Sequence, residues 1–211
     1  MSPPPQAWPS LIGVLDPSFA IARGLDPRQL LDAWLRAGLR ALRIRLVAPH
    51  DPRVVTLLPT LAASCRASGA LLLVDAHPLA LSLTLPDAWF LSARTPAPTH
   101  RSPLGTAIGF AAHAEAWTPR MLRADFLIAA PLHTPRSKAG GRAPLTYEGV
   151  RRIARGSALP TWALGGVEQG DLPVLHTLGL AGAAVLGPWH IPRATPLVRS
   201  WVEAADEAWA R

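Results

Sequence analysis

Several residue types are nearly missing from this sequence, and each shortage closes off a kind of chemistry. Its 211 residues include a single cysteine, Cys65, which excludes an internal disulfide framework and a cysteine-built zinc site. Cys65 lies in a helix-like stretch and is expected as buried filler. No apolar run reaches the roughly 18–20 residues of a membrane span, so no membrane partner is expected. The opening MSPPPQAWPS lacks the basic and apolar regions of a signal peptide, which makes a cytoplasmic location the expectation. Aromatic residues are 6% of the chain, and none alternate with arginines as a nucleic-acid stacking platform requires. Lysine is scarcer still, because among 21 basic residues only Lys138 is a lysine.

Apolar residues make up 49% of the chain, enough for a chain of this length to bury a core. The net charge is +7. Its arginines are scattered, with Arg151 and Arg152 adjacent in a helix-like stretch, so nucleic acid is not the expected partner; an anionic substrate and a codon bias towards Arg, Ala and Pro are the readings that remain for the charge. Against that arginine-rich background the lone Lys138 stands out. A compact ammonium on a flexible stem acts on phosphate as a point charge, which a guanidinium does not reproduce.

Apolar patterning and punctuation predict strands over 11–15, 39–47, 70–74, 87–91, 106–111, 124–130, 160–164 and 182–186. Helices are expected over 27–37, 52–68, 78–83, 115–122, 146–155, 170–178 and 195–210, the first two opened by Asp-Pro and closed by Gly. The stretch 93–104, ARTPAPTHRSPL, is rich in proline and threonine and can hold little regular structure. Eight strand–helix units in one chain argue α/β architecture: a single (β/α)8 TIM barrel spanning 1–211, with a reduced fourth helix. A doubly wound open sheet is the alternative. No linker long enough to join a second domain is visible.

In such a barrel the chemistry belongs at the C-terminal strand ends. Asp16 follows the first strand. Arg43 and Arg45, two apart on the second, share the interior face, where arginines need anionic partners. Asp75 ends the third strand, and Arg45 is its expected ion-pair partner. His113 follows the fifth, and histidine can take and return a proton near neutral pH. His133 and Lys138 lie in the loop after the sixth. The seventh ends in Gly165-Gly166 and the eighth in Gly187. Glycines there let backbone N–H groups approach a phosphate at a helix start. Phe90, Trp162 and Trp189 are expected to be packing.

Four stretches carry a resemblance across nearly the whole chain: GLRALRIRL, LLLVDAHPLAL, ADFLIAAPLHTPRSKAGG and LPTWALGGVEQGDLPVLHTLGLAGAAVLG. They resemble the Gln-x-Arg, Asn-Asp, Thr-x-x-Lys and Ala-x-Gly-Gly-Ile segments of the thiamine phosphate synthase/TenI superfamily. The resemblance implies a barrel that binds a small phosphorylated heterocycle, a thiazole phosphate. Synthases of this kind join it to a pyrimidine diphosphate with magnesium, whereas TenI-type members aromatise it by moving a proton and need no cofactor. By motif, Arg45 and Lys138 fall on phosphate contacts, and Gly165 and Gly166 on the thiazole phosphate cradle. Asp75 falls on a magnesium contact and His113 on the TenI-type proton-transfer histidine. Arg43, Val47 and Val74 stand where synthases have Gln, Lys and Asn, and the loop LSART lacks their second acidic residue. One carboxylate is thin provision for magnesium, a hard ion that wants several oxygens.

The expected function is therefore a TenI-like thiazole tautomerase, with His113 moving the proton and Arg43, Arg45, His133, Lys138, Gly165, Gly166 and Gly187 around the phosphorylated ligand. The alternatives are an active magnesium-dependent synthase and an inactive thiazole or thiamine phosphate-binding module. A homodimer and a functional link to a Nudix hydrolase are left open.

Overall fold

The computed structural model describes residues 8–48, 51–92, 106–113, 123–134 and 143–210. Within them lie eight strands: Leu11–Leu15 (β1), Ala41–Ile44 (β2), Leu71–Asp75 (β3), Ala88–Leu91 (β4), Ala107–Ala112 (β5), Phe126–Ala129 (β6), Thr161–Leu164 (β7) and Gly182–Val185 (β8). They pair in parallel in chain order, and β8 pairs back onto β1. This closed (β/α)8 barrel is the architecture the strand–helix count implies, and closure removes the two edges that an open sheet would have left.

The period of two along each strand sorts side chains into an inner and an outer layer. Ile12, Val14, Ala41, Leu73, Ala88, Phe90, Phe126, Ile128, Trp162 and Ala184 pack together inside. Leu15, Leu42, Ile44, Leu72 and Val74 pack with the helices outside. Trp8 closes the N-terminal end, its ring centroid 4.8 Å from Phe126 and 6.0 Å from Trp162. The Trp162 Nε1–H donates to the Pro9 carbonyl at 3.0 Å, so the buried indole has the partner it needs.

Among the described residues the helices are Pro17–Ala22 (α1), Pro27–Arg36 (α2), Pro52–Val55 (α3), Leu58–Ser68 (α4), Pro78–Leu83 (α5), Thr146–Ser157 (α6), Leu172–Thr177 (α7) and Thr195–Trp209 (α8). The helix α1 is not foreshadowed by periodicity; it is nucleated by Asp16, whose carboxylate accepts the Phe19 N–H at 3.0 Å, with Pro17 at the first position. The single helix expected over 52–68 is two, α3 and α4. Pro59, in the first turn of α4, has no N–H for the carbonyl four residues back, so the helix cannot run through it. The segment expected over 170–178 likewise begins as a 3-10 turn, Gln169–Asp171, before α7. The reduced fourth helix and the helix expected over 115–122 lie outside the described residues.

Tryptophans tie the shell together. Trp34 of α2 meets Trp189 edge to face at 5.5 Å, and Trp189 meets Trp201 of α8 at 5.9 Å. Cys65 is buried in α4, and that burial pushes its thiol up to about 12, as befits inert filler.

Candidate active site at the barrel mouth

At the C-terminal end of the barrel the inner layer changes from apolar to charged. Arg43 is 6% exposed. Its Nε and Nη2 both donate to Asp75 Oδ1 at 2.8 Å. The guanidinium lies 3.6 Å above the centre of the Phe90 ring, a cation–π contact strengthened by desolvation. The Leu46 N–H donates to Asp75 Oδ2 at 3.2 Å. Arg45 instead reaches Asp16, Nη1 to Oδ2 at 3.2 Å. The expectation that Asp75 pairs with Arg45 is therefore corrected. The Arg45 N–H bonds the Leu15 carbonyl on β1, which sets its side chain beside Asp16, while the long Arg43 side chain climbs the barrel from one inner layer lower to Asp75. Both arginines face inward, as the spacing implied, and each has its own carboxylate.

Histidine 190 completes this side of the mouth. Its Nδ1 lies 2.7 Å from the Leu186 carbonyl oxygen and its Nε2 accepts the Asp16 N–H at 3.2 Å. A carbonyl can only accept, so Nδ1 carries the proton and the ring is neutral. Burial lowers its pKa from the ordinary 6.5. The neutral ring clasps the ends of β8 and β1 together.

The other side is built differently. His113 Nδ1 lies 2.7 Å from the Ala130 carbonyl oxygen at the end of β6. Nδ1 is again a protonated nitrogen, because its partner can only accept. The next residue, Pro131, is what the double glycine packs against. A Cβ on Gly165 would stand 2.8 Å from Pro131 Cβ, and one on Gly166 2.9 Å from His133 Cβ. Both glycines adopt left-handed backbone, φ 94° and 70°. Conformation and close approach together demand residues without side chains here. The turn is fixed by the Leu132 N–H on the Leu164 carbonyl at 2.9 Å and the His133 N–H on the Gly165 carbonyl at 3.0 Å. The N–H groups of Gly166 and Val167 meet no acceptor among the described residues. At Gly187, after β8, nothing lies within 4 Å of where a Cβ would stand.

The helix start beyond this turn is closed by its own side chains. The Glu168 N–H donates to Asp171 Oδ2 at 2.7 Å in a capping box. Asp171 also holds His133 Nε2 at 3.1 Å and the Tyr147 hydroxyl. That hydrogen bond to Asp171 pushes Tyr147 up to about 12. The helix behind the turn thus has its first N–H groups engaged by its own side chains, and His133 stands against the Gly166 side of the turn. Lys138 lies outside the described residues. Sequence reasoning missed His190, Asp171 and Tyr147. His190 sits three residues past Gly187 in the eighth strand's loop, and Glu168 and Asp171 have capping-box spacing, which are the two signals available for them.

The family model for thiamine monophosphate synthase (TMP-TENI) matches residues 16–188. The chain belongs to this family. Among its relatives is a thiamine-phosphate synthase of Caldivirga maquilingensis, 26% identical over 204 residues, which cover 94% of this chain and 97% of that protein. The thiamine biosynthesis bifunctional protein ThiM/ThiE of Symbiobacterium thermophilum is 29% identical over 173 residues, 80% of this chain. This chain spans only 36% of that bifunctional relative's length. The thiamine phosphate pyrophosphorylase of Pyrococcus furiosus superposes with a TM-score of 0.73 over 94% of this chain and 96% of its own, at 19% identity; at that identity the likeness concerns the fold.

Synthases of this family imply magnesium, and the donor set here fits it poorly. Asp75 has both oxygens engaged, one of them by a buried guanidinium. Among the described residues no three His, Cys, Asp or Glu side chains converge as ligands would. Nor is any helix among them long and apolar enough to cross a membrane.

Proposed function

We propose that the mouth seats a thiazole phosphate with its phosphate on the Gly165–Gly166 turn and the Gly187 loop, and that His113 shifts a proton on the ring, a tautomerase reaction of the TenI type. The observation that carries this reading is a short path: His113 is fixed to Ala130, and Pro131, the next residue, is the wall of the glycine turn. A base anchored on the carbonyl next to Pro131 stands beside the turn that would hold the phosphate, where it can meet the attached heterocycle. With Nδ1–H donated to Ala130, Nε2 takes the proton, the carbonyl supports the imidazolium, and the same nitrogen returns the proton elsewhere on the ring, leaving composition unchanged. Arg45, 31% exposed at its side chain, supplies positive potential at the mouth.

The second reading is coupling of the thiazole phosphate to a pyrimidine diphosphate. It is favoured by the names of the relatives, which are synthases. The engaged Asp75 argues against it, because that reaction calls on magnesium.

The test is incubation with thiazole phosphate, alone and with pyrimidine diphosphate, with and without magnesium. Solvent deuterium entering the thiazole without metal, and no pyrophosphate, is the expected result. Magnesium-dependent pyrophosphate release would make the chain a synthase. Tight binding with neither reaction would make it a binding module.

A further inference from the structure

Asp75 already has its cation. Arg43 donates twice to one of its oxygens at 2.8 Å, the Leu46 N–H occupies the other, and the guanidinium is pinned from behind by Phe90 at 3.6 Å. A divalent ion entering here would sit against a buried guanidinium, whose repulsion opposes it. Displacing Arg43 would leave its charge buried without a partner. Neighbouring carboxylates offer no substitute. The Asp16 carboxylate is taken by Arg45 and the Phe19 N–H at the start of α1, and that of Asp171 by His133, Tyr147 and Glu168. The segment 93–105, between β4 and β5, contains no Asp or Glu in its sequence.

We infer that Arg43 is the resident cation of Asp75, that the described residues of the mouth form no divalent-metal site at Asp75, and that the phosphorylated ligand enters as the metal-free anion. Arg43 is then a specificity-determining residue, favouring a phosphomonoester over a metal-bridged diphosphate. Only the identity of the ligand rests on the function proposed above; the closure of Asp75 to metal stands apart from it.

Manganese, a spectroscopic stand-in for magnesium, tests this on the whole chain. Its electron paramagnetic resonance signal is quenched on binding. Wild type is expected to leave the signal unchanged up to millimolar Mn²⁺. Arg43→Gln, checked for native circular dichroism, is expected to take up an ion about tenfold or more tightly than wild type, and Arg43→Gln/Asp75→Asn to lose it again. Stoichiometric binding by wild type that disappears in Asp75→Asn overturns the inference, as does a folded Arg43→Gln that gains no ion. If neither variant folds, the wild-type titration decides by itself, since a stoichiometric ion there overturns the inference and an unchanged signal upholds it. Calorimetry with thiazole phosphate separates the two ideas: equal affinity in magnesium and in chelator supports metal-free entry, and tightening by magnesium opposes it. Absence of any thiazole phosphate binding, with the manganese results as expected, removes the proposed function and leaves Arg43 in its role.

Discussion

The two halves of the barrel mouth use polar groups in opposite ways. On the β1–β3 side the arginines facing the mouth are paired internally, Arg43 with Asp75 and Arg45 with Asp16, and the neutral His190 reaches across from β8 to the Asp16 N–H. On the β5–β8 side the fixed parts are the Gly165–Gly166 turn, where the N–H groups of Gly166 and Val167 meet no acceptor among the described residues, and a histidine whose Nδ1 lies against the Ala130 carbonyl. Net charge alone would have placed anion binding among the arginines. The geometry instead gives the arginines a large share of structural work, and the proposed function puts the ligand on the glycine turn beside His113. A charged side chain announces a ligand only after its internal partners have been counted.

The largest effect expected is on turnover. His113→Ala should lower the rate of proton transfer by about 10²–10⁴-fold, while calorimetry shows thiazole phosphate affinity close to wild type. A variant as fast as wild type would strip the β5–β8 side of its catalytic role. The matching change on the other side is Asp75→Ala. It leaves the Arg43 guanidinium buried and unpaired, and denaturant unfolding should register a loss of about 3–5 kcal/mol. An unchanged midpoint would mean that the ion pair adds nothing and that the contrast between the halves is wrong.

Two glycines sharpen the comparison within the ligand side. Gly166→Ala must hold φ 70° and bring a methyl group to 2.9 Å from His133 Cβ, a strain of about 1–3 kcal/mol in thermal or chemical unfolding. Gly187→Ala meets open space and should change stability by no more than about 0.5 kcal/mol. Its thiazole phosphate binding should nevertheless weaken, because the methyl intrudes on the rim. Full stability with full affinity would take Gly187 out of the phosphate site.

The smallest effect is a pH dependence. Burial depresses the pKa of His190 in the folded chain below the 6.5 it regains on unfolding. The unfolded chain therefore binds more protons in the interval below 6.5, and stability falls as pH drops through it. His190→Gln keeps a donor and an acceptor but does not titrate, so its unfolding midpoint should be flatter between pH 7 and pH 5. A wild-type midpoint flat over the same range would show that the clasp does not hold a neutral ring.

Much of this mouth was legible in the residues. The period-two spacing of Arg43 and Arg45 put both inside, and Gly165-Gly166 marked the turn after β7. The pairing of charges was not legible. Asp75 is two residues beyond the Arg43 level on β3, and which arginine reaches it depends on side-chain length and on how β1 flanks β2. His190 was invisible for a similar reason: its two partners, Leu186 and Asp16, are neighbours only because the barrel closes.

The sequence by itself determined the number of strands, their parallel sense, the apolar interior and the residue types at most strand ends, because these follow from local periodicity and chain punctuation. Tertiary structure alone decided which carboxylate belongs to which arginine, that Asp75 is closed to a metal, and that Gly166 must lack a side chain because His133 stands behind it. Those outcomes depend on distances between residues far apart in the chain, which only barrel closure and strand register bring within reach of one another.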